Sequence, residues 1–591
     1  MSKTSEGKKP RIGVYVCHCG GNISDYVDVE KVRTALGEEA NVVVSKDLMF
    51  DCSDASQSEM IDDIRTKNLD RIVVAACSPK LHELTFRGTA TRGGLNPYMF
   101  YHANIREQAS WAHEGDKKGA TAKALAHARA AVAYVSLAEP LERPRIESTS
   151  AVLVIGGGIA GIKAALDLSS MGVQVFLVEK SQALGGHVAE LGEVYPYGRE
   201  GRQVVDRLVT ELKGRENVTI FTGAVLESFS GYIGRFEATI LVTPRPGTEE
   251  RIKVRVASAV VATGFESYQP ERGEYGYGTV KGVVTLPELQ SPASGSEGAL
   301  EYEGKEVKDI AFVYCVGSRQ EESGVVPSGN EPPAKANAYC SRYCCNAAVN
   351  TSLSLGRKYH GITTYHLYRD MRTYGRNELM YEEAAKAGSI FIRFDGENPP
   401  SVYEKDGRVG VTVKSSLLEN QPVELTVDLV VLVTGMVPHP NEELNTLLSL
   451  PIGSDGFYRE IHQKLRPVET NIGGLLIAGT SQGPKDIRET LSSASAASAK
   501  AASFALKKEL ELEPFVATVD SSACELSQAC LKECPYEAIE IRDLPSGRKA
   551  WVNTAKCKGC GACVAVCPTE AIQLKGLGND QVRAMIEVMA R

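Results

Sequence analysis

The stretch AVLVIGGGIAGIKAALDLSSMGVQVFLVEK, residues 151–180, decides how the central part of the chain folds. Its pattern predicts an apolar strand, a glycine-rich turn, a helix and a second apolar strand. Gly156, Gly158 and Gly161 stand in G-x-G-x-x-G register, which allows a tight turn and close approach of the backbone to a pyrophosphate. Glu179 ends the second strand, where a carboxylate accepts hydrogen bonds from a ribose. The stretch predicts a dinucleotide-binding site, the alternative being a turn whose glycines serve only close packing.

Two later stretches favour FAD as the dinucleotide. SAVVATG, residues 258–264, predicts a buried strand and turn, and NIGGLLIAGTSQGPKDIRET, residues 471–490, predicts a strand, a glycine turn and a helix that opens at Pro484. Both resemble FAD motifs of the thioredoxin reductase-like flavoproteins, which implies that Asp486 holds the ribityl chain. Lys485 is expected either to act as a catalytic residue, stabilising a reduced flavin by its charge, or to be a solvated surface lysine. The predicted FAD contacts are Gly156, Gly158, Gly161, Glu179, Ala262, Thr263, Gly264, Gly479, Lys485, Asp486 and Ile487.

Composition and charge narrow the class of protein. The chain has 591 residues, of which 43% are hydrophobic and 24% charged, as in ordinary globular proteins. The formal net charge of -8 argues against nucleic-acid binding. No apolar run reaches the roughly 18 residues of a membrane-spanning helix, and we expect neither a span nor a signal peptide.

Cysteine usage indicates metal chemistry. The 15 cysteines fall into three groups, and an odd number at tight spacings is a poor disulfide framework and a good metal framework. Thiolate ligands need a reducing compartment, so we expect a cytoplasmic protein.

The C-terminal cysteines carry the most specific motif. Residues 557–568 read Cys-x2-Cys-x2-Cys-x3-Cys-Pro, the bacterial ferredoxin motif, whose fourth cysteine binds the other cluster of a pair. An upstream copy at 524–535 keeps this register but has Ser527 at the second ligand position. One cluster is expected on Cys534, Cys557, Cys560 and Cys563. The other is expected on Cys524, Cys530 and Cys567, and its fourth position stays open between a three-iron cluster, the serine, an external ligand and another residue.

The N-terminal cysteines belong to a predicted small α/β unit. Its strands are expected at RIGVYV (11–16), NVVVS (41–45) and RIVVAA (71–76), and a helical pattern closes the unit at 127–138. Because the carboxyl ends of parallel strands meet at one edge of a sheet, the cysteines that follow these strands are expected to converge on a [4Fe–4S] cluster. The alternative is a set of partly structural or redox cysteines. The predicted ligands are Cys17, Cys19, Cys52 and Cys77.

A second nucleotide-type segment begins at DIAFVYCVG, residues 309–317. Its strand runs into YCVGSR, residues 314–319, so the second and third glycines of a G-x-G-x-x-G turn are missing. A helix predicted over 338–359 would place Cys340 and Cys344 on one face of its first turns. Four thiols there would hold one [4Fe–4S] cluster, with zinc and buried structural thiols as alternatives. The predicted ligands are Cys315, Cys340, Cys344 and Cys345.

The combination of motifs resembles the A-type, iron–sulfur flavoprotein component of heterodisulfide reductase. The C-x(n)-C-x3-C-C pattern inside a thioredoxin reductase-like fold is joined by CHCGGNI (17–23), EYGYG (274–278) and GPKDI (483–487), so the resemblance covers essentially the whole chain. It implies an FAD flanked by about four [4Fe–4S] clusters, the one near Ser527 being uncertain, and no pyridine nucleotide in the inserted domain.

The same resemblance implies partners. Electrons would come from a hydrogenase or formate dehydrogenase through a small iron–sulfur adaptor. The flavin would bifurcate them between soluble ferredoxin and a partner that reduces a disulfide, in methanogens that of coenzyme M and coenzyme B. The resemblance does not decide whether two copies of this chain form the core of such a complex. Two other functions remain: a non-bifurcating relay in a quinone-linked or benzoyl-CoA reductase-type complex, and an NAD(P)H-dependent flavin oxidoreductase, against which the missing glycines argue.

These patterns predict a multidomain α/β protein. Its parts are a thioredoxin reductase-like FAD fold with an inserted domain, a small N-terminal α/β domain and a C-terminal bacterial-type ferredoxin domain. DLVVLVTG (428–435) is expected to return the chain to the first nucleotide-type unit, and SPASGSEG (291–298) to form a flexible link. The predicted segments are 1–142 (N-terminal iron–sulfur domain), 143–300 and 436–512 (FAD domain), 301–435 (inserted domain) and 513–591 (ferredoxin domain).

Overall fold

The computed structural model describes residues 9–195, 198–245, 247–290, 299–320, 336–545 and 547–590. The predicted link at 291–298 lies outside the described residues. The chain forms two compact units, Met1–Ile146 together with Glu511–Arg591, and Glu147–Leu510. Among the described residues, none of the helices has the length and apolar character needed to cross a membrane.

The N-terminal part of the first unit is a four-stranded parallel sheet. The three strands predicted from sequence are confirmed, and the first lies between the second and the third. All carboxyl ends therefore meet at one edge of the sheet. In spatial order the strands are Val42–Leu48, Ile12–Cys17, Arg71–Ala76 and Phe100–Asn104. The helices are Val29–Gly37, Asp54–Thr66, Pro79–Gly93 and Lys117–Ser136.

The ferredoxin module completes the first unit. Its C-terminal helix, Asn579–Met589, packs on the helix Lys117–Ser136, and Met585 contacts the N-terminal core. Arg87 forms an ion pair with Glu513 at 2.9 Å. The segments predicted as separate first and last domains thus share one compact unit. The module's strands are Ala517–Val519 paired with Ile572–Leu574, and Ile539–Leu544 paired with Gly547–Val552; its short helices are Ala529–Lys532 and Ala562–Ala565.

The second unit contains two five-stranded parallel sheets, and one is nested inside the other along the chain. The first sheet runs Val218–Thr222, Gln174–Glu179, Ala151–Ile155, Ser258–Val261, Leu475–Ile477. The second sheet runs Val283–Thr285, Leu429–Thr434, Asp309–Val316, Thr363–Tyr368, Ile390–Arg393. Each is accompanied by a three-stranded antiparallel sheet, made of Ala224–Tyr232, Arg235–Arg245 and Thr248–Val256, and of Ser401–Lys405, Arg408–Ser415 and Gln421–Val427. The helices are Ile159–Ser170, Gly201–Lys213, Leu286–Gln290, Cys344–Lys358, Glu378–Lys386, Glu442–Leu448 and Ile487–Ala505.

The nested sheets confirm an inserted nucleotide-type domain. The point at which the chain returns from it to the first sheet differs from the prediction. The strand Leu429–Thr434 pairs in parallel with Asp309–Val316, so DLVVLVTG belongs to the inserted sheet and the expected return at 428–435 is wrong. The return to the first sheet comes at Leu475–Ile477, which pairs with Ser258–Val261. Val283–Thr285 also lies in the inserted sheet, on the N-terminal side of the predicted boundary at residue 301.

Candidate cofactor sites

The glycine turn after the strand Ala151–Ile155 gives each of its three glycines a different role. Gly156 has φ of +106°, and a side chain there would collide with the backbone of Ala262. A side chain on Gly161 would collide with the carbonyl oxygen of Gly156. A Cβ on Gly158 would instead meet open space at the first turn of the helix Ile159–Ser170. That space, beside backbone N–H groups without a side-chain cap, fits a pyrophosphate.

Glu179 is held in place beside this turn. Its Oε2 accepts a hydrogen bond from the backbone N–H of Gly157 at 2.5 Å, and its Oε1 accepts one from Ser181 at 2.7 Å. The side chain is buried. A carboxylate has about four acceptor positions, so two backbone donors fix its orientation and leave capacity for ribose hydroxyls. The predicted role of Glu179 in FAD binding stays a prediction that this geometry suits.

The third predicted FAD motif ends in a well-capped helix. This helix begins at Ile487, not at Pro484, because Asp486 is its N-cap. Asp486 Oδ1 accepts from the N–H of Glu489 at 2.8 Å, and its Oδ2 lies 3.3 Å from the guanidinium of Arg488. Both oxygens of Asp486 thus have partners within the protein, and contact with a ribityl chain would have to share them.

Lys485 lies partly buried beside this helix start. Burial lowers the pKa of Lys485, while Glu460 and Glu489 act to raise it and Arg342 acts to lower it. A freely solvated surface lysine would not be desolvated in this way. The position argues against the surface alternative, and the predicted role of Lys485 beside a flavin stays a prediction.

The cysteines of the inserted domain gather at the carboxyl end of its sheet. Cys315 lies near the end of the strand Asp309–Val316, and Cys344 and Cys345 open the helix Cys344–Lys358. Burial raises the pKa of Cys315 to about 11, with further raising effects from Cys345 and Cys340 and a lowering effect from Arg319. The thiols predicted as one ligand set are therefore mutual neighbours.

The expected helical placement of Cys340 is wrong. Arg342 adopts φ of +58°, which a continuous α-helix cannot contain, and the helix begins only at Cys344. Cys340 lies in the preceding turn, where its Sγ accepts a hydrogen bond from the N–H of Arg342 at 3.3 Å. A hydrogen bond from Cys344 lowers the pKa of Cys345 to about 7, and Arg372 and Arg319 act in the same direction.

The turn after this strand is packed against neighbouring side chains. Gly317 has φ of +69°, and a side chain there would collide with the ring of Tyr268. The hydroxyl of Tyr268 donates to Oε2 of Glu274 at 3.0 Å, so the segment 274–278 holds that ring in place. Arg319, which follows the turn, forms an ion pair with Asp370 at 2.7 Å. These contacts suit the prediction that the inserted domain does not bind a pyridine nucleotide.

Residues next to the inserted-domain cysteines lie close to the predicted FAD segments at 258–264 and 471–490. Arg342 forms an ion pair with Glu489 at 2.6 Å, in the first turn of the helix capped by Asp486. The ring of Tyr343 lies 6.4 Å from that of Phe265, which directly follows the predicted FAD motif at 258–264. The structure therefore brings this thiol group next to the predicted flavin site.

The N-terminal thiols also come together. Cys17 ends the first strand, Cys52 precedes the helix Asp54–Thr66, and Cys77 directly follows the third strand. Burial raises the pKa of Cys77 to about 11, and neighbouring Cys19 and Cys52 raise it further. Cys19 raises the pKa of Cys52 by its charge, and it acts on the pKa of Cys17 through a backbone hydrogen bond, which lowers it, and by its charge, which raises it, so Cys19 lies near all three other thiols.

Two residues that contact the N-terminal thiols were not predicted from sequence. Arg106 Nη1 donates to Sγ of Cys19 at 3.3 Å, and the N–H of Asp51 donates to Sγ of Cys17 at 3.5 Å. Arg106 carries no local motif, and Asp51 is marked only by its place before Cys52. His18, which lies between Cys17 and Cys19, pairs with Asp47 at 2.8 Å.

The ferredoxin module contains two cavities lined by the two predicted ligand sets. The walls of the first include Cys524, Ser527, Cys530 and Cys567. The walls of the second include Cys534, Cys557, Cys560 and Cys563. Burial raises the pKa of Cys563 to about 11, with added effects from the other three thiols of its cavity. Each cavity thus combines space and sulfur donors, which is what an iron–sulfur cluster requires.

The described residues contain no group of three or more His, Cys, Asp or Glu side chains arranged to hold one metal ion. The ferredoxin thiols surround two cavities, and a set of thiolate donors around a cavity fits an iron–sulfur cluster.

Two family models match parts of the chain. The model described as FAD dependent oxidoreductase matches residues 151–232, which include the glycine turn and Glu179. The model described as 4Fe-4S binding domain matches residues 550–573, which include the motif at 557–568. The protein is therefore an oxidoreductase that uses FAD and iron–sulfur clusters.

Relatives match nearly the whole chain, and each is the A component of its enzyme. That of the H(2):CoB-CoM heterodisulfide,ferredoxin reductase of Methanothermobacter thermautotrophicus is 35% identical, over 91% of this chain and 91% of its own. That of the H(2)/formate:CoB-CoM heterodisulfide,ferredoxin reductase of Methanococcus maripaludis is 30% identical, over 90% of this chain and 91% of its own. That of the Ferredoxin/F(420)H(2)-dependent CoB-CoM heterodisulfide reductase of Methanosarcina acetivorans is 32% identical, over 90% of this chain and 75% of its own.

Proposed function

The chain belongs to the family of heterodisulfide reductase A components, and we propose that it is the electron-bifurcating flavin subunit of such a complex. A bound FAD would supply two-electron chemistry, and the clusters one-electron transfer. Electrons would arrive from a hydrogenase- or formate dehydrogenase-type partner through a small iron–sulfur adaptor. They would leave to soluble ferredoxin and to a disulfide-reducing partner. The 15 free thiols suit a reducing compartment such as the cytoplasm.

One observation carries this proposal: the inserted-domain cysteines adjoin the predicted flavin site. Arg342 contacts Glu489, and Tyr343 packs near Phe265, so the residues just before Cys344 lie next to both of these predicted FAD segments. In a nucleotide-binding domain of this order, the carboxyl end of the sheet would receive a second nucleotide. Here that edge holds four thiols and a turn covered by Tyr268. An iron–sulfur cluster at this edge would transfer single electrons, whereas a pyridine nucleotide would donate a hydride. The thiols therefore support electron transfer between protein partners.

The protein's own charges suit the negative charge that thiolates bring to this edge. Arg319 and Arg372 both act to lower the pKa of Cys345, and Arg319 does the same for Cys315. Lys485 brings a further positive charge to the flavin side. Reduction makes the site more negative. These positive charges would stabilise the reduced site, so that electron uptake need not be accompanied by proton uptake.

The names of the relatives support the choice of partners. They include hydrogen, formate, ferredoxin and F(420)H(2), so the electron donor differs among proteins that match at least 90% of this chain. All of them name the CoB-CoM heterodisulfide. We propose that the disulfide-reducing partner here acts on the same disulfide class, and that the donor is of the hydrogenase or formate dehydrogenase type.

Anaerobic reconstitution tests the proposal. The chain would be isolated with its co-purifying subunits and supplied with hydrogen or formate, ferredoxin and the heterodisulfide. Bifurcation requires that ferredoxin is reduced only when the disulfide is present, in equal two-electron amounts. Ferredoxin reduction without the disulfide would contradict it. NADH and NADPH serve as controls, and rapid bleaching of the flavin by either would instead support a pyridine-nucleotide oxidoreductase.

A further inference from the structure

The ferredoxin module contains two cysteine loops with the same backbone course. Leu526 and Gly559 have φ of +61° and +63°, and Gln528 and Gly561 have φ of +62° and +82°. Glu537 and Glu570, which lie three residues after the last cysteine of each loop, have φ of +48° and +50°. Each loop leads into a four-residue helix, Ala529–Lys532 or Ala562–Ala565.

The hydrogen bonds repeat as well. The N–H of Leu531 donates to the carbonyl of Gln528 at 3.1 Å, and the N–H of Val564 donates to that of Gly561 at 2.9 Å. Ser527 in the first loop therefore stands where Cys560 stands in the second. Both are exposed, and each lines the cavity of its own loop. The backbone of the first loop follows the same path as that of the second, although Leu526 and Gln528 occupy the positions of Gly559 and Gly561.

A serine at this place is a weaker cluster ligand than Cys560 for two reasons. Metal–oxygen bonds are about 2.0 Å and metal–sulfur bonds about 2.3 Å, and a C–O bond is also shorter than a C–S bond. With the same backbone course, the Ser527 oxygen falls short of the position that a cysteine sulfur would reach. Iron–sulfur clusters also select soft thiolate ligands over oxygen.

We propose that the first cavity holds a cluster bound by only three thiolates, from Cys524, Cys530 and Cys567, and that its fourth iron, which faces Ser527, is exchangeable. A one-electron oxidant such as ferricyanide converts [4Fe–4S]²⁺ to [3Fe–4S]⁺, with release of Fe²⁺ and transfer of one electron to the oxidant. One electron and one Fe²⁺ restore the four-iron cluster. The second cavity, with four cysteines, keeps its iron. This inference rests on the proposed function, in that it assumes a cluster-loaded ferredoxin module.

The test uses the full-length, anaerobically isolated holoprotein, oxidised with ferricyanide and measured by low-temperature EPR. The wild-type chain should give the near-isotropic signal of an oxidised three-iron cluster at about one spin per chain. Dithionite with ⁵⁷Fe²⁺ should remove that signal and place the label in one four-iron cluster, seen by Mössbauer spectroscopy. Ser527→Ala should keep the signal, and Ser527→Cys should lose it completely. The reciprocal variant Cys560→Ser should double it.

Three results would overturn the inference. The first is a wild-type chain without the signal and a Ser527→Ala chain that gains it, because serine would then be the fourth ligand. The second is absence of the signal from all variants in a cluster-loaded protein. The third is a Ser527→Cys chain that keeps the wild-type signal. FAD content and reduction of the second ferredoxin cluster, measured on the same samples, report separately whether the proposed electron-transfer function fails.

Discussion

The guanidinium of Arg106 donates a hydrogen bond from Nη1 to Sγ of Cys19 at 3.3 Å. Its position is fixed, because Arg106 also pairs with Glu107 at 2.7 Å and lies 4.7 Å over the ring of Trp111. Burial raises the pKa of Cys52 and of Cys77, and Arg106 acts against this at both. The N-terminal thiols thus face a mostly buried positive charge.

Removing this charge should lower the reduction potential of the N-terminal cluster. A hydrogen bond to a charged group contributes about 1.5–3 kcal/mol, which for a one-electron couple corresponds to roughly 60 mV or more. Arg106→Met should show this shift in an EPR-monitored redox titration. Arg106→Lys, which keeps the charge, should show less than half of it. Equal potentials in the wild type and Arg106→Met would mean that Arg106 does not face a cluster.

Gly158→Ala should separate FAD binding from folding. A Cβ there meets open space, so the fold should lose no more than about 1 kcal/mol in stability. The added methyl group would enter the space expected for the pyrophosphate, and FAD affinity should fall at least about tenfold. Flavin content after dialysis and thermal unfolding measure the two effects.

Gly161→Ala is the matched control for this prediction. Its Cβ would collide with the carbonyl of Gly156, so it should destabilise the fold together with flavin binding. A Gly158→Ala chain that retains FAD as the wild type does would contradict the placement of the pyrophosphate.

The charge of Lys485 should cost stability at neutral pH. Because burial lowers the pKa of Lys485 in the folded chain, the unfolded chain binds its proton more strongly, and stability rises with pH between the lowered value and the usual 10.5. Lys485→Met should therefore raise Tm at neutral pH, and the gain should shrink above the usual lysine pKa. Lys464→Met, at an exposed lysine, provides the control and should leave Tm unchanged at each pH. A gain independent of pH would contradict the electrostatic explanation.

Arg87 should hold the ferredoxin module within the first unit. It pairs with Glu83 at 2.6 Å and Glu513 at 2.9 Å, and its guanidinium lies 4.9 Å over Tyr98 and 5.3 Å over Phe515. Arg87→Met should cost about 1–3 kcal/mol, even though both glutamates are solvent-exposed, because the ring contacts are lost as well.

Thermal unfolding and limited proteolysis of the ferredoxin segment measure the effect of Arg87→Met. Arg583→Met removes an exposed arginine from the C-terminal helix and should change stability by less than about 0.5 kcal/mol. Equal protease resistance of Arg87→Met and the wild type would show that other contacts hold the module.

Local patterns were enough to predict much of this protein. The glycine turn at 156–161 and the three N-terminal strands follow from periodicity and turn chemistry, and the structure has them where expected. The helix through Cys340 was wrong because the left-handed conformation of Arg342 carries no sequence signal. Which of the two parallel sheets contains DLVVLVTG could not be predicted, because short buried parallel strands have the same sequence pattern in either sheet.

Contacts between residues far apart in the chain could not be predicted from local sequence patterns. Arg106 and Cys19 are 87 residues apart, and nothing local marks either as the other's partner. The contact of Arg342 with Glu489 likewise joins two segments whose motifs were predicted separately. Charge placement around the thiols therefore emerged only from the fold.

Thiols far apart in the chain are expected to assemble iron–sulfur clusters in a protein that also binds one flavin. Iron, acid-labile sulfide and FAD measured on one anaerobically isolated sample test it most directly. The account predicts one FAD per chain with iron and sulfide for about four clusters. Iron for the ferredoxin clusters alone, with the N-terminal and inserted-domain cysteines free to react with a thiol reagent, would contradict it.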